Sequence, residues 1–360
     1  MGFDMKKFLV LIIFLLMSRA EAAGWSPELR IGILSGVDQV FLKVSAPCIM
    51  IDVASGKVLA KVPAEMKCLV RVSAMKFDAV EIRPEEIFLK DLRTTIAGKE
   101  YCGGLRLNKA GNSLIVINLV PTEEYLRGVL PKEMSPSYPL EALKAQAVAA
   151  RSFALKNRGK HKAEGFDLCA TVHCQVYDGT KFFETTDAAI EETRGEILTY
   201  KDKLIETSFH ADSGGMTENS SDVWGRNLPY LVAVKENFEE SEAWTIKIPV
   251  KKFSETLKLD KIKSVKLSTL KIGKAASDRT SSGRVKTAQI NGEKFTGLEL
   301  RQKFSLPSTL FDMKLDKNEI IFTGFGSGHG VGMSQKGAKF YAADGWAYEK
   351  ILTHYYKGTK

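Results

Sequence analysis

The sequence predicts an α+β protein: a mixed α/β core preceded by a β-rich region and interrupted by a small inserted α/β subdomain. Three observations carry that expectation. Short β-rich runs separated by turn residues fill the stretch from Leu29 to Asn118. Beyond Pro139, apolar residues recur at helical spacing, with Leu140, Leu143, Ala147, Ala150 and Ala154 on one face. A Lys-rich stretch over about 251–315 contains two alternating segments, SVKLSTLKIG and RVKTAQING, that read as a strand pair.

The first element is a targeting segment. Lys6 and Lys7 precede an apolar run from Phe8 to Met17, and Ala20 and Ala22 form an A-x-A pattern, so residues 1–23 are expected to be cleaved as an export signal. The run is shorter than the roughly 20 apolar residues of a membrane helix, and no later segment reads as transmembrane, so no stable membrane span is expected in the mature chain. The working location is then the periplasm or the outer face of the envelope. The formal charge of +9 becomes about +8 without the signal. Outside the cytoplasm, that balance argues against nucleic acid as a partner and suits anionic surfaces; a simply solvated basic face is the alternative.

Residues 24–118 form the expected β-rich region, with LRIGILS, QVFLKVS, CLVRVS and LIVINLV as strands and Ser55-Gly56 and Gly111-Asn112 as turns. A second domain is expected over 119–360, because this length exceeds what one core usually serves. It opens with Pro121-Thr122-Glu123-Glu124, where Thr122 is the expected cap and two acids lie in the first turn. Gly128 weakens this helix, and Pro131 is expected to stop it. The helix after Pro139 should turn Lys144, Arg151 and Arg158 away from its Ala-rich face and end near Gly159. Past the inserted subdomain, GFGSGHGVGMSQKGAKFYAADG is a Gly-rich loop feeding a helix capped near Ser334 and stopped by Gly345. A last helix runs to about Tyr356.

Among these elements a few residues have the chemistry of a site. Glu133 follows Val129, Leu130 and Pro131 and precedes Met134 and Pro136. An acid desolvated in such a turn would keep its proton, as a general acid must; a surface loop glutamate is the plainer alternative. His161, Cys169, His173 and Cys174 offer two thiolates and two imidazoles, the ligand set of a closed structural zinc site. A Cys169 to Cys174 disulfide or two buried thiols would explain the same pair. The chain has five cysteines, and Cys48, Cys68 and Cys102 could supply one disulfide and one free thiol in an oxidising compartment. His210 and His329 lie in Gly- and Ser-rich loops suited to neutral hydrogen bonds with a sugar. Neither belongs to an H-E-x-x-H motif, and no G-x-S-x-G elbow occurs.

The segments PTEEYLRGVLPKEM, EALKAQAVAARSFAL, HADSGGMTENSSDVWG and GHGVGMSQKGA, in this order and spacing, resemble the stage II sporulation protein D (SpoIID/LytB) family over roughly Leu105 to Tyr356. The first hundred residues match only vaguely. The resemblance implies an exported lytic transglycosylase of peptidoglycan, cleaving between N-acetylmuramic acid and N-acetylglucosamine in peptide-stripped glycan strands and leaving 1,6-anhydro ends. The family's catalytic glutamate falls on Glu133.

The resemblance further implies structural zinc beside the site, held by Cys169, His173 and Cys174 with His161. A glycan groove is expected along Gln175, Tyr177, His210, Ser213 and His329. A rival reading comes from relatives described as amidase enhancers: a glycan-binding protein whose partner is a cell-wall amidase. A third is a zinc amidase using His210 or His329. Sporulation itself is not implied, since nothing in the sequence indicates a spore-forming context.

Overall fold

The computed structural model describes residues 26–237 and 242–360, so the expected export signal lies outside the described residues. The fold is α+β, and it divides into two compact units. One runs through Ile197 and includes Leu204–Glu206; the other comprises Leu198–Lys203 and Thr207–Lys360.

In the first unit, β1 (Glu28–Val37), β2 (Gln39–Val44), β3 (Cys48–Asp52), β4 (Val58–Val62) and β5 (Lys67–Arg71) are followed by β6 (Ala79–Pro84), β7 (Arg93–Ile96) and β8 (Lys99–Cys102). After these come β9 (Gly104–Ala110), β10 (Ser113–Pro121) and the short β11 (Leu168–Cys169). They form a seven-stranded sheet in the order β11-β1-β10-β9-β6-β3-β4 and a four-stranded sheet in the order β5-β2-β7-β8. The alternation of β2, with Val40, Leu42 and Val44 buried, is that of a half-buried strand. By contrast, β10 is buried continuously from Val116 to Val120, as a central strand between β1 and β9 must be. Asn118 sits at its centre, fully buried, and donates to the carbonyls of Cys102 and Gly104 at 2.9 and 3.0 Å.

Strand β10 runs directly into α1 (Thr122–Glu133), which is followed by α2 (Leu140–Lys156) and α3 (Glu184–Glu192). The expected domain boundary after Asn118 therefore falls inside a paired strand, and the division comes at Ile197 instead. Thr122 does not cap α1: its hydroxyl donates to the Pro27 carbonyl at 2.6 Å, and Pro121 occupies the cap position. Nor does Pro131 stop the helix. Its missing N–H costs one bond in the last turn, where the buried Leu126, Val129 and Leu130 hold the chain and Met134 N–H closes on the Leu130 carbonyl at 2.9 Å.

Helix α2 is buried on nearly every side, which overturns the outward direction expected of Arg151. Its guanidinium is 1% exposed and grips Glu123 of α1 through Nε at 2.9 Å and Nη2 at 2.7 Å. Further bonds to the carbonyls of Ile190 and Glu196 tie in the end of α3.

In the second unit, Phe253, Phe304, Phe311 and Phe322 pack together in the core of the inserted subdomain. The expected strand pair is present, as Val265–Lys266 against Thr287–Ile290. The subdomain is wider than 251–315, because Trp244–Pro249 pairs with Glu319–Gly324. The terminal helices are Gln335–Ala343, capped by Ser334 accepting from Gly337 N–H, and Tyr348–Tyr355. Phe209–His210 pairs in parallel with Met333–Ser334, which joins the two histidine-bearing loops.

A buried ion pair deprived of one member leaves an uncompensated charge. Arg151→Met should thus destabilise the protein by about 3–5 kcal/mol, and Glu123→Leu combined with it should recover most of the loss. Denaturant unfolding of the three proteins measures this; equal stability of the single and double variants would show that the pair does not act as a unit.

Candidate functional site

Glu133 is the last residue of α1, and not part of a loop between helices. Its position follows from the helix that carries it: Tyr125, two turns earlier, is fully buried. Gly128 lies flush against the loop around Tyr177, where a Cβ would come within 2.3 Å of the Tyr177 ring and 2.5 Å of the Gly179 carbonyl. That loop returns to Glu133, whose Oε1 accepts from Val176 N–H at 3.4 Å. Glu133 is itself half-buried. A cavity of about 400 Å³ opens beside this loop, lined among others by Lys132, Tyr101, Cys169, Thr171, Val176 and Asp178.

Gln175 and Tyr177 lie in the same loop but are only 1% and 3% exposed. Gln175 accepts from the Tyr125 hydroxyl at 3.1 Å and donates to the Ala150 carbonyl, while the Tyr177 hydroxyl donates to Asn118 at 2.8 Å. Their polar atoms are spent inside the protein. Both were expected to offer hydrogen bonds to a sugar; here those polar atoms bond within the protein, although Tyr177 also lines the cavity. Asp178, by contrast, is engaged by Lys99 and Lys132, and the hydrogen bond from Lys99 holds its carboxyl below the usual range.

The same segment carries the Cys and His cluster. Strand β11 pairs in parallel with β1, Gly32 opposite Cys169, and Phe166 packs against Gly32 so closely that a Cβ there would meet its ring at 2.7 Å. Arg30 grips Asp167 through its backbone N–H and its guanidinium, at 3.0 and 2.9 Å. His161 stacks on Phe166 with ring centroids 4.9 Å apart.

The result is that His161, Cys169, His173 and Cys174 present ligand atoms all within 4.8 Å of one another. Cys174 Sγ lies 3.5 Å from His161 Nε2 and 3.7 Å from His173 Nδ1, and Cys169 Sγ lies 3.7 Å from His173 Nδ1. A tetrahedron with metal–sulfur and metal–nitrogen bonds of the usual zinc lengths has sulfur–nitrogen edges of about 3.6 Å, so the four groups fit such an ion. His161 Nδ1 donates to Glu164 at 2.5 Å, which orients the ring as a carboxylate behind a metal-binding imidazole does. Burial pushes the Cys174 thiol up, while hydrogen bonds involving Thr171 and His173 outweigh burial and bring Cys169 down. All five cysteines, including Cys48, Cys68 and Cys102, are free thiols.

In the second unit, His210, Ser213 and His329 are inward-facing. Ser213 is fully buried and donates to Glu236, which also accepts from Tyr355. His210 Nδ1 donates to the Val331 carbonyl at 3.2 Å, and His329 Nδ1 accepts from Val331 N–H at 3.0 Å. Their rings lie 5.6 Å apart, and Trp224, 41% exposed, lies 5.3 Å from His329. Burial first, then the charges of Arg284 and Arg301, lower His329 to about 4. Burial lowers His210 well below its usual value too. Both imidazoles are therefore neutral near pH 7. Glu164, Tyr125 and Arg284 were missed in the sequence; only Glu164, three residues after His161, had a local signal.

Taken together, these features define a class: a two-unit α+β protein whose first unit sets one glutamate at a helix end beside a thiol and imidazole cluster. A family profile described as "Stage II sporulation protein" matches residues 110–200. The chain is 37% identical over 262 residues to Stage II sporulation protein D of Bacillus subtilis (strain 168), covering 67% of this chain and 74% of that relative. It is 38% identical over 274 residues to an uncharacterized protein of Brachyspira hyodysenteriae, covering 73% of each. An amidase enhancer of Bacillus subtilis (strain 168) is 31% identical over 336 residues, but only 46% of its length is covered. The chain belongs to the stage II sporulation protein D family.

The lowered His329 has a consequence for stability. Its folded pKa lies below the unfolded value, so the stability it contributes is complete above about 6.5 and is lost as the pH falls toward about 4. His329→Asn should flatten the decline over this window, by at most roughly 3 kcal/mol at its lower end. Denaturant midpoints at stepped pH values give the comparison, and parallel curves for the two proteins would contradict it.

Proposed function

We propose that this protein is a lytic transglycosylase of peptidoglycan in which Glu133 is both general acid and general base. Family membership supports a cell-wall-related role, and the observation that carries the finer reading is the placement of a half-buried glutamate at the end of α1, where it accepts from Val176 N–H. A helix C-terminus disfavours negative charge, which suits a group that must deliver a proton to the leaving glycosidic oxygen. The resulting carboxylate then takes a proton from the C6 hydroxyl of the same muramic residue as that oxygen closes on C1. The bond to N-acetylglucosamine breaks, a 1,6-anhydro ring forms, and Glu133 recovers its proton. No second carboxylate is required, unlike the paired acids of ordinary glycosidases. The acid nearby, Asp178, is engaged by Lys99 and Lys132.

His161, Cys169, His173 and Cys174 would hold zinc in this reading, with Glu164 behind His161. Four protein ligands make a closed site, whose chemistry is to cross-link the segment that also carries Val176, not to activate water. The protein acts outside the cytoplasm, on glycan strands. The amidase enhancer relative favours a second reading, in which the chain binds strands without cutting them and stimulates an amidase.

Glu133→Gln separates the two, because it preserves shape and hydrogen bonding but cannot cycle a proton. Strand cleavage should fall by about 10²- to 10⁴-fold while strand binding persists. Unaltered cleavage would remove Glu133 from the mechanism, and cleavage absent from the parent protein as well would leave the enhancer reading. For the cluster, Cys174→Ser should lower bound zinc and thermal stability together. Elemental analysis of protein purified without chelator should give about one zinc per chain; none would refute the metal assignment.

A further inference from the structure

The second unit contains a cavity of about 390 Å³ that no step of the proposed reaction uses, bounded by Arg284, Arg301, Thr280, Val223, Leu298 and His329. Its size falls within the roughly 300–1,000 Å³ of small-ligand sites. Arg284 distinguishes it. The side chain is 2% exposed, and Nη2 donates to the Ser213 carbonyl at 2.8 Å. Nε and Nη1 have no acceptor among the described residues. Gly330 lies against the guanidinium, where a Cβ would come within 2.5 Å, so the group is fixed on that side.

A buried cation with idle donors is costly to maintain unless something accepts from them. Glu218 supplies nearby negative charge, but its carboxylate is already spent on the hydroxyls of Thr280 and Ser282, at 2.5 Å each, and on Asn219 N–H at 2.9 Å. Arg301 and the exposed Lys286 add positive charge to the same cavity, against Glu218 and the exposed Asp222. The small positive excess suits a monoanion. Apolar side chains border the cavity: Leu298, 48% exposed, and Val223 line it, and Trp224, outside the lining, packs 5.3 Å from His329, which also lines it. An apolar ligand face attached to a carboxylate fits this combination.

We infer that this cavity binds the lactyl carboxylate of a peptide-stripped muramic residue, with Arg284 and Arg301 on the carboxylate and the Trp224 and Leu298 rim against the sugar. The choice of sugar rests on the function proposed above. In an intact strand the lactyl group is an amide linked to the stem peptide and carries no charge. It becomes a carboxylate only once the peptide is removed, so the cavity would read the stripped state directly. A stem-peptide carboxylate has the same chemistry on a different carrier, and the two can be told apart.

Ligand-observed NMR titration of the full mature chain with four probes makes the test: N-acetylmuramic acid, its methyl ester, N-acetylglucosamine and the dipeptide L-Ala-D-Glu. The acid should bind at least about tenfold more tightly than the ester or N-acetylglucosamine, the loss expected for a charge-assisted hydrogen bond. Arg301→Gln should abolish that preference, and Trp224→Ala should weaken the acid and the ester alike. These two residues are partly exposed, so the test does not depend on a variant at buried Arg284. Equal binding of acid and ester, or an unchanged preference in Arg301→Gln, would overturn the inference. Dipeptide binding as tight as that of the acid would overturn the lactyl assignment. None of the probes has a glycosidic bond between the two sugars, so the result is independent of whether Glu133 cleaves strands.

Discussion

The buried ion pair between Arg151 and Glu123 is the constraint on which the first unit depends. Glu123 lies in the first turn of α1, and Arg151 joins it to α2 and to the carbonyls at the end of α3, so three helices share one desolvated contact. Such a pair is worth little as net stability, but it tolerates few arrangements, because any other leaves a charge buried alone. With the start of α1 fixed in this way, and its other end continuing from the buried Tyr125, Glu133 has little freedom in where it emerges.

A second set of contacts brings the opposing loop to that acid. Asn118 at the centre of β10 accepts from Tyr177, Tyr125 donates to Gln175, and Arg30 holds Asp167. These bonds place Val176 N–H on Glu133 and gather His161, Cys169, His173 and Cys174 a few residues away. In the proposed reaction the carboxylate at the helix end would be the group held still, and the cross-linkable loop facing it would keep water from the reacting carbon.

Much of this was legible in the sequence where a local pattern decided the outcome. The alternation of β2, the continuous apolar run of β10 and the serine cap before Gln335 all follow from short-range rules. The Cys and His set was readable from residue type, and the resemblance pointed to Glu133. Errors arose where long-range packing prevailed. Pro131 reads as a helix stop, yet burial of its neighbours carries the helix on to Glu133. Arg151 reads as an outward-facing charge because helical periodicity gives only direction, and whether a partner waits inside depends on Glu123, 28 residues away. Gln175 and Tyr177 lie beside the right segment, but their hydroxyl and amide groups face Asn118, Ala150 and Tyr125, partners that no local pattern reveals. Arg284 had no signal at all, since its idle donors are a property of the folded second unit.

In the proposed mechanism one glutamate, with the sugar's own hydroxyl as nucleophile, suffices to cut the strand. Mass spectrometry of purified, peptide-stripped glycan strands after incubation with the protein tests it most directly. New muramic ends should be lighter by one water than hydrolytic ends, the mark of the 1,6-anhydro ring. Reducing ends of full mass would contradict it, since they require water at C1 and a second carboxylate, and release of stem peptides from intact strands would mean that the bond attacked is not glycosidic.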